Sequence, residues 1–135
     1  MERRQNAGTR KIFLSNTVKP DKRRYLRYEI LDYAVVKFDG LTDGINTVIA
    51  DISLGGVQLR SKAPLPVGEQ CTIRVGCGEG APLGLRAEVR HCKTMDESGL
   101  FTSGLRFIPE NHADRMAIAE YVHAIFQRQC DNLLV

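Results

Sequence analysis

Two arginines spaced four residues apart, Arg23 and Arg27, lie in the basic stretch KRRYLR at residues 22–27. The planar guanidinium group donates two parallel hydrogen bonds to a phosphate or to the O6/N7 edge of guanine, and it also stacks on bases. The spacing alone is a weak signal, because Arg86 and Arg90 repeat it in a segment that alternates like a strand. The pair indicates an anionic ligand only if acceptor groups elsewhere complete the site.

Acceptor groups of this kind follow about two dozen residues later, in Asp51-x-Ser53-x-x-Gly56. Side chains two residues apart share one face of a strand, so the Asp51 carboxylate and the Ser53 hydroxyl can address the N–H edge of a single base. Gly55 and Gly56 remove side chains where the backbone turns or a ligand approaches closely. Combined with the arginines, these residues predict a nucleotide-binding site.

Catalytic motifs find no match in the chain, which has no G-x-S-x-G, H-E-x-x-H, P-loop or dinucleotide-binding glycine pattern. The four cysteines form no C-x-x-C pair, so reduced and mostly packed thiols are predicted instead of a zinc site. His112 and His123 are predicted to lie on a helix surface. We therefore expect a binding protein with no enzymatic activity, no metal and no cofactor.

Positive charge is concentrated at the N-terminus. Residues 1–28 hold nine Lys or Arg against two carboxylates, a net charge of +7, and the whole chain carries +3, so the remainder carries −4. This asymmetry favours a localised anionic partner. No apolar run reaches the roughly 18 residues of a membrane span, and nothing at the N-terminus reads as a secretory signal, so a cytoplasmic location is expected.

The chain is predicted to contain a flexible arm at residues 1–20, one domain at residues 21–130 and a short tail at residues 131–135. Six short strands are predicted at roughly ten-residue spacing, a pattern typical of an antiparallel barrel or sandwich. They cover residues 29–39, 47–53, 57–60, 71–75, 83–92 and 100–108. The turn residues Asp43-Gly44 and Gly55-Gly56 separate the first three.

Period-2 alternation predicts which side chains of these strands face the interior. They are Ile30, Ala34, Val36 and Phe38 in the first strand (with Asp32 as the exception), Val48, Ala50 and Ile52 in the second, and Leu85, Ala87, Val89 and His91 in the fifth.

A helix of about 15 residues is predicted after Pro109, because Asn111 can cap it with Asp114 three residues further on. Its apolar face comprises Ile118, Ala119, Val122, Ile125 and Phe126. A helix with such a stripe needs a surface to bury it, and an open end or side of the barrel is the expected place.

The sequence resembles the PilZ domain family. The resemblance rests on Arg23-x-x-x-Arg27, on Asp51-x-Ser53-x-x-Gly56, on Gly104-Leu-Arg-Phe107 as the family's Gly-x-x-Phe strand, and on the C-terminal helix, and it covers residues 20–130. It implies an all-β fold with a C-terminal helix: a six-stranded antiparallel β-barrel, packed by the helix, that binds cyclic di-GMP on its outer surface. It also implies a role in bacterial second-messenger signalling, such as the control of motility or biofilm formation.

The resemblance implies roles for individual residues. The two motif arginines would contact phosphates and guanine edges, Asp51 and Ser53 would hydrogen-bond guanine, and Gly56 would leave clearance. Lys22, which precedes the first arginine, fits the binding of a stacked pair of nucleotides. The implied ligand-binding residues are Lys22, Arg23, Arg24, Arg27, Asp51, Ser53, Gly55, Gly56 and Gly104.

The polar, self-repelling residues 1–28 are predicted to be mobile without ligand and to become ordered on it, which would create a surface for a partner protein. No contact with DNA or a membrane is expected. Two alternatives stay open: a nucleic-acid-binding barrel with a basic arm, and a ligand-independent adaptor. The acidic body and sparse aromatic residues count against the first, and the intact motifs count against the second.

Overall fold

The computed structural model describes residues 28–77 and 80–133, which form six strands and one helix. The strands are β1 (Tyr28–Phe38), β2 (Ile45–Ile52), β3 (Gly56–Ser61), β4 (Gln70–Cys77), β5 (Gly80–Met95) and β6 (Leu100–Phe107), and the helix is α1 (His112–Leu133). Neighbouring strands are antiparallel, and the order β1-β2-β3-β6-β5-β4 closes through pairing of β1 with β4. The predicted six-stranded antiparallel β-barrel with a C-terminal helix is confirmed.

Apolar side chains from all six strands fill the barrel interior, as in any barrel of this small size. The fully buried ones include Val36, Ile49, Ile52, Val57, Leu59, Ile73, Val75, Leu85, Ala87 and Val89. Cys71 also lies there, and burial raises the pKa of its thiol to about 12, so this cysteine is a packing residue at neutral pH. Within the described residues, no group of three or more His, Cys, Asp or Glu could hold a metal ion.

The alternation in β2 differs from the prediction. Thr47 and Ile49 point inwards, where Val48 and Ala50 were expected. The cause is a bulge: Ile49 pairs with Leu59 and Asp51 pairs with Gln58, which leaves Ala50 as an extra residue. The bulge restores the predicted inward position of Ile52. The buried Thr47 hydroxyl donates a hydrogen bond to the Ala34 carbonyl oxygen at 2.9 Å, which satisfies it.

A second bulge changes the face of His91 in β5. Val89 pairs with Leu105 and His91 pairs with Gly104, so Arg90 is the extra residue. The predicted inward set is confirmed up to Val89, but the prediction for His91 was wrong, since its side chain is exposed. The exposed ring consequently belongs to the outer wall of the barrel.

Arg86, whose spacing to Arg90 matches that of the N-terminal pair, has a structural role. Its two terminal nitrogens donate to the two carboxylate oxygens of Asp39 at 2.8 and 2.9 Å, and one of them also donates to the Thr72 hydroxyl at 3.0 Å. The hydrogen bonds from Arg86 lower the pKa of Asp39. These hydrogen bonds between Arg86 and Asp39 link β5 to the end of β1 across β4.

The start of α1 is capped as predicted. The Asn111 side-chain oxygen accepts a hydrogen bond from the Asp114 backbone N–H at 2.8 Å, and the Asp114 carboxylate accepts one from the Glu110 backbone N–H at 2.9 Å. The first bond satisfies an amide group that the first turn of a helix leaves unpaired, and the second ties the residue before the cap to the same turn. The helix is 22 residues long, and no helix among the described residues is long and apolar enough to cross a membrane.

The helix face against the barrel agrees only partly with the prediction. Ile118, Val122 and Ile125 are buried as expected, but Ala119 and Phe126 are exposed. Tyr121, 1% exposed, completes the buried stripe.

The hydroxyl of Tyr121 is paired with Asp32 of β1. This contact explains why a polar ring can lie on an otherwise apolar helix face, and why a carboxylate interrupts the apolar alternation of β1. The Tyr121 hydroxyl donates to the Asp32 carboxylate at 2.5 Å. Arg128 approaches the same carboxylate oxygen at 3.4 Å. This cluster fastens the helix to β1.

We expect Tyr121→Phe to destabilise the fold, because it removes the hydroxyl bonded to Asp32 and keeps the ring. Asp32 is 27% exposed, so the bond is partly solvated and the free energy of unfolding in urea should fall by about 1–2 kcal/mol. Tyr33→Phe is the matched control because the Tyr33 side chain is 83% exposed. Equal stability of the two variants would contradict the role given to Tyr121.

Candidate functional site

The turn between β2 and β3 is shaped by Ser53. Its backbone N–H donates to the Gly56 carbonyl oxygen at 2.9 Å, and its side-chain oxygen accepts from the Gly55 N–H at 3.1 Å. The residue is 3% exposed. Asp51 and Ser53 were expected to share one face of a strand. Because β2 ends at Ile52, the strand periodicity does not extend to Ser53. Among the described residues, no acceptor takes the Ser53 hydroxyl hydrogen.

A glycine is required at position 56 because the neighbouring strand β6 leaves no room for a side chain. Gly56 pairs with Arg106 of β6, and a Cβ atom at Gly56 would overlap the Leu105 carbonyl oxygen and lie 3.3 Å from the Arg106 Cα. The Gly55 carbonyl oxygen accepts from the Phe107 N–H at 3.1 Å. The two glycines therefore hold the turn tightly against β6.

Asp51 begins a row of residues that crosses four adjacent strands on the outer wall. It pairs with Gln58 in β3, Gln58 pairs with Gly104 in β6, and Gly104 pairs with His91 in β5. At about 4.8 Å between strands, the row spans about 14 Å. It offers a carboxylate, a side-chain amide, a bare backbone position and an imidazole along one line.

Gly104 and His91 form a single feature of this row. A Cβ atom at Gly104 would overlap the His91 ring, so the imidazole lies over the space that the glycine leaves open. The ring itself is exposed. This gives the wall a flat aromatic surface beside the polar groups, of the kind on which a base can stack.

A cavity of about 470 Å³ adjoins the turn, between β6 and the first part of α1. Its lining includes Leu54, Gly55, Arg106, Phe107 and Arg115. Arg106 is 59% exposed and lies 3.7 Å from Glu88, so it adds a solvent-accessible cation two residues along β6 from Gly104.

The residues expected at the site fall into two groups. Asp51, Gly56 and Gly104 lie on the adjacent strands β2, β3 and β6, and Ser53 and Gly55 lie in the turn between β2 and β3. The others, Lys22, Arg23, Arg24 and Arg27, lie outside the described residues.

The basic stretch leads directly into β1, whose first residue Tyr28 pairs with Ile52 and whose second, Glu29, pairs with Asp51. The chain thus joins the barrel beside the Ser53–Gly56 turn. The row therefore lies next to the point where the basic stretch ends.

Sequence reasoning missed Gln58, His91 and Arg106 as members of this surface. Gln58 could have been found, because it lies between two inward residues and two positions after Gly56. His91 could not have been found, because no residue type in β5 indicates the extra residue at Arg90.

Gly56→Ala and Gly104→Ala make the same chemical change against different neighbours. At Gly56 the new methyl meets rigid backbone, and overpacking of this kind typically costs about 1–3 kcal/mol. At Gly104 it meets an exposed ring that can swing away, so the free energy of unfolding should change by less than about 1 kcal/mol.

Urea titrations of both variants measure this difference, and a His91→Ala background serves as the control in which Gly104→Ala meets no ring. If Gly104→Ala proved as destabilising as Gly56→Ala, the His91 ring would not be the relevant neighbour.

The chain matches a known protein family and is similar to several solved structures. The family model described as PilZ domain matches residues 21–124. Among solved structures, the PilZ domain of YcgR from Escherichia coli with c-di-GMP is similar at a TM-score of 0.65 and 15% identity, covering 84% of this chain and 98% of that chain. No curated protein matches the chain in sequence.

Two longer proteins are also similar. Bacillus subtilis inhibitor of motility (MotI/DgrA) has a TM-score of 0.62 and 18% identity, and the match covers 82% of this chain and 53% of that chain. The K. pneumonia MrkH–c-di-GMP complex has a TM-score of 0.67 and 15% identity, with 83% and 56% covered. The chain thus spans about half the length of these two proteins. Since the family model covers more than half of the chain, the chain belongs to the PilZ domain family.

Proposed function

We propose that the chain is a receptor for cyclic di-GMP. The observation that carries the proposal is the row Asp51–Gln58–Gly104–His91, which lies beside the Ser53–Gly56 turn and next to the start of β1. Membership of the PilZ domain family supports it, as do the c-di-GMP complexes of the similar YcgR and MrkH structures.

In the proposed complex, the Asp51 carboxylate accepts hydrogen bonds from the N1 and N2 edge of one guanine. The Ser53 hydroxyl donates to the ligand while its oxygen keeps the bond from Gly55. Gly104 lets the His91 ring lie against the wall, and the exposed ring provides a stacking surface for the base. Gln58 can complete the hydrogen bonding, since its amide both donates and accepts.

The phosphates would be bound by Arg23 and Arg27, with Lys22 and Arg24 adding charge. Each cyclic di-GMP carries two negative charges, so a stacked pair carries four, and a stretch with four cations suits either stoichiometry. The guanidinium group of arginine can donate hydrogen bonds to a phosphate along its edge and stack on guanine through its plane, whereas lysine offers only a point charge. The two arginines therefore carry most of the proposed affinity.

Ligand binding would also order the basic arm, residues 1–27, on the barrel wall. Holding each backbone residue costs about 1–2 kcal/mol, and charge-assisted hydrogen bonds to the phosphates offset that cost. The ordered arm would present a new surface to a partner protein, which makes the chain a non-enzymatic signalling effector in the cytoplasm that needs no additional cofactor. Control of motility or biofilm formation is a suitable output, and DNA is not among the proposed partners.

Calorimetric titration of the purified protein with cyclic di-GMP should give saturable binding with one or two nucleotides per chain. Arg23→Ala and Arg27→Ala should each weaken binding at least tenfold, about 1.4 kcal/mol, and leave the melting temperature of the free protein unchanged. Arg74→Ala is the control, because Arg74 is exposed on β4, a strand that contributes no residue to the row.

Absence of heat and of a thermal shift at high micromolar cyclic di-GMP would refute the receptor proposal. Tight binding of single-stranded DNA or RNA under those conditions would favour the basic-armed nucleic-acid-binding barrel instead. Unfolding of the arginine variants would assign the two arginines to the fold.

Limited proteolysis tests the ordering of the arm, because the arm contains many trypsin sites. Cyclic di-GMP should slow cleavage within residues 1–27 at least several-fold in the original protein and have no such effect in Arg27→Ala. Cleavage after Arg74, in the barrel, is the internal reference. Unchanged cleavage of the arm at saturating ligand would show that binding does not order it.

A further inference from the structure

A second row of outward side chains crosses the barrel wall beside the row from Asp51 to His91. Tyr33 of β1 pairs with Val48 of β2, Val48 with Arg60 of β3, Arg60 with Thr102 of β6, and Thr102 with Lys93 of β5. On β3, β6 and β5 it lies two residues, about 7 Å along the strand, from the first row. The second row spans five strands, about 19 Å, and the proposed nucleotide site uses none of its residues.

The second row presents an aromatic ring and two cations to solvent. Tyr33 is 83% exposed, and Arg60 and Lys93 are exposed as well. Lys62, the residue after the end of β3, adds a third exposed cation. Within the described part of the chain, none of these three cations makes an ion pair. Because residues 29–135 carry a net charge of −4, this local positive charge favours an anionic partner.

A cavity of about 560 Å³ lies beside these cations. Arg60 and Lys62 line it together with the apolar side chains of Ile45, Val48 and Leu100, and no carboxylate is found among the described residues of its lining. An aliphatic side chain with carboxylates on either side has the matching chemistry, since the apolar lining takes the aliphatic group and the cations take the charges.

Carboxylates on the same wall limit the length of the anion that can bind. Asp51 belongs to the first row, and Asp96 and Glu97 lie in the turn between β5 and β6, shortly before Leu100 of the cavity lining. A long polyanion that followed the strands across the second row would meet these like charges on both sides. A short acidic segment fits between them. The charges therefore favour an acidic peptide over a nucleic acid.

We propose that Tyr33, Val48, Arg60, Lys62 and Lys93 form a basic groove that docks a short acidic segment of a partner protein. An aliphatic side chain of that segment enters the cavity, its carboxylates pair with the three cations, and the exposed Tyr33 ring packs against it. The basic groove shares no residue with the proposed nucleotide site, so this proposal does not rest on nucleotide binding.

Amide NMR spectra of the isotope-labelled full chain test the proposal, with the synthetic peptide Glu-Glu-Leu-Glu-Glu as the probe. The peptide should shift the signals of Val48, Arg60 and Thr102 saturably at concentrations up to about 1 mM. Replacing its leucine by glycine should weaken binding by about threefold or more, because the cavity then stays empty. A site-resolved measurement is needed, since the basic N-terminal residues also attract the peptide. Shifts confined to residues 1–27, or equal binding of the glycine peptide, would overturn the proposal.

Charge reversal identifies the contacts. Arg60→Glu and Lys62→Glu should each weaken binding of the acidic peptide by about fivefold or more. Arg74→Glu is the matched control, because Arg74 is exposed on β4 and does not line the cavity. Melting curves establish that all variants are folded. Equal weakening by Arg74→Glu would show that the peptide senses only the overall charge, and the proposal would fail.

The double variant Arg60→Glu with Lys62→Glu allows a test from which the N-terminal residues are removed as a competitor. It should bind the reversed peptide Lys-Lys-Leu-Lys-Lys, which those basic residues repel, and the original protein should not. No gain of binding in the double variant would contradict the assigned contacts.

A single-stranded oligothymidylate with four phosphates matches the charge of the acidic peptide and tests the nucleic-acid alternative. It should shift the signals of Val48, Arg60 and Thr102 less than the peptide does at equal concentration. If it instead bound there with a lower Kd than the peptide, the basic groove would be a nucleic-acid surface and the proposal would be wrong.

Discussion

Two extra residues, Ala50 in β2 and Arg90 in β5, determine which side chains the outer wall of the barrel presents. A strand side chain that is one position out of phase points into the core, so the outward positions of Asp51 and His91, the two ends of the row, depend on these bulges. Without the bulge at Arg90, the His91 ring would point into an interior already filled by Leu85, Ala87 and Val89. The bulges also add local twist, which a small closed barrel requires.

β1 connects the other parts of the molecule. Its first residue pairs with the end of β2 beside the turn, Asp32 in its middle holds Tyr121 of the helix, and the residue after its end, Asp39, accepts the fork of Arg86. β1 therefore lies beside the Ser53–Gly56 turn at its start and contacts α1 through Asp32. The same strand that follows the basic stretch also carries Asp32, which anchors the helix.

Much of this architecture follows from local rules of the chain. Alternation and turn residues predicted all six strands, and the Asn111–Asp114 cap was evident from residue type and spacing. The site roles of Asp51, Ser53, Gly56 and Gly104 remain predictions. These features need only neighbours close in sequence, which is why they can be recognised without a structure.

The features that could not be predicted depend on distant partners. A bulge is set by the closure of the whole barrel and leaves no mark in the residues of its own strand. Tyr121 was overlooked because its hydroxyl makes it look like a surface residue until Asp32, 89 positions away, is brought to it. Phe126 was assigned to the core because apolar spacing alone does not distinguish a face packed on the barrel from a face that remains on the outside.

The closure of the sheet also limits how this protein can be recognised. Every strand of the described barrel has two hydrogen-bonded neighbours, but residues 91–95 of β5 pair only with β6 among the described strands. A partner strand can be added only where a strand has such an open side. Over the rest of the wall the main-chain groups are already paired, so recognition there must be read from side chains, and substitutions on the wall can change the choice of partner while the barrel stays the same.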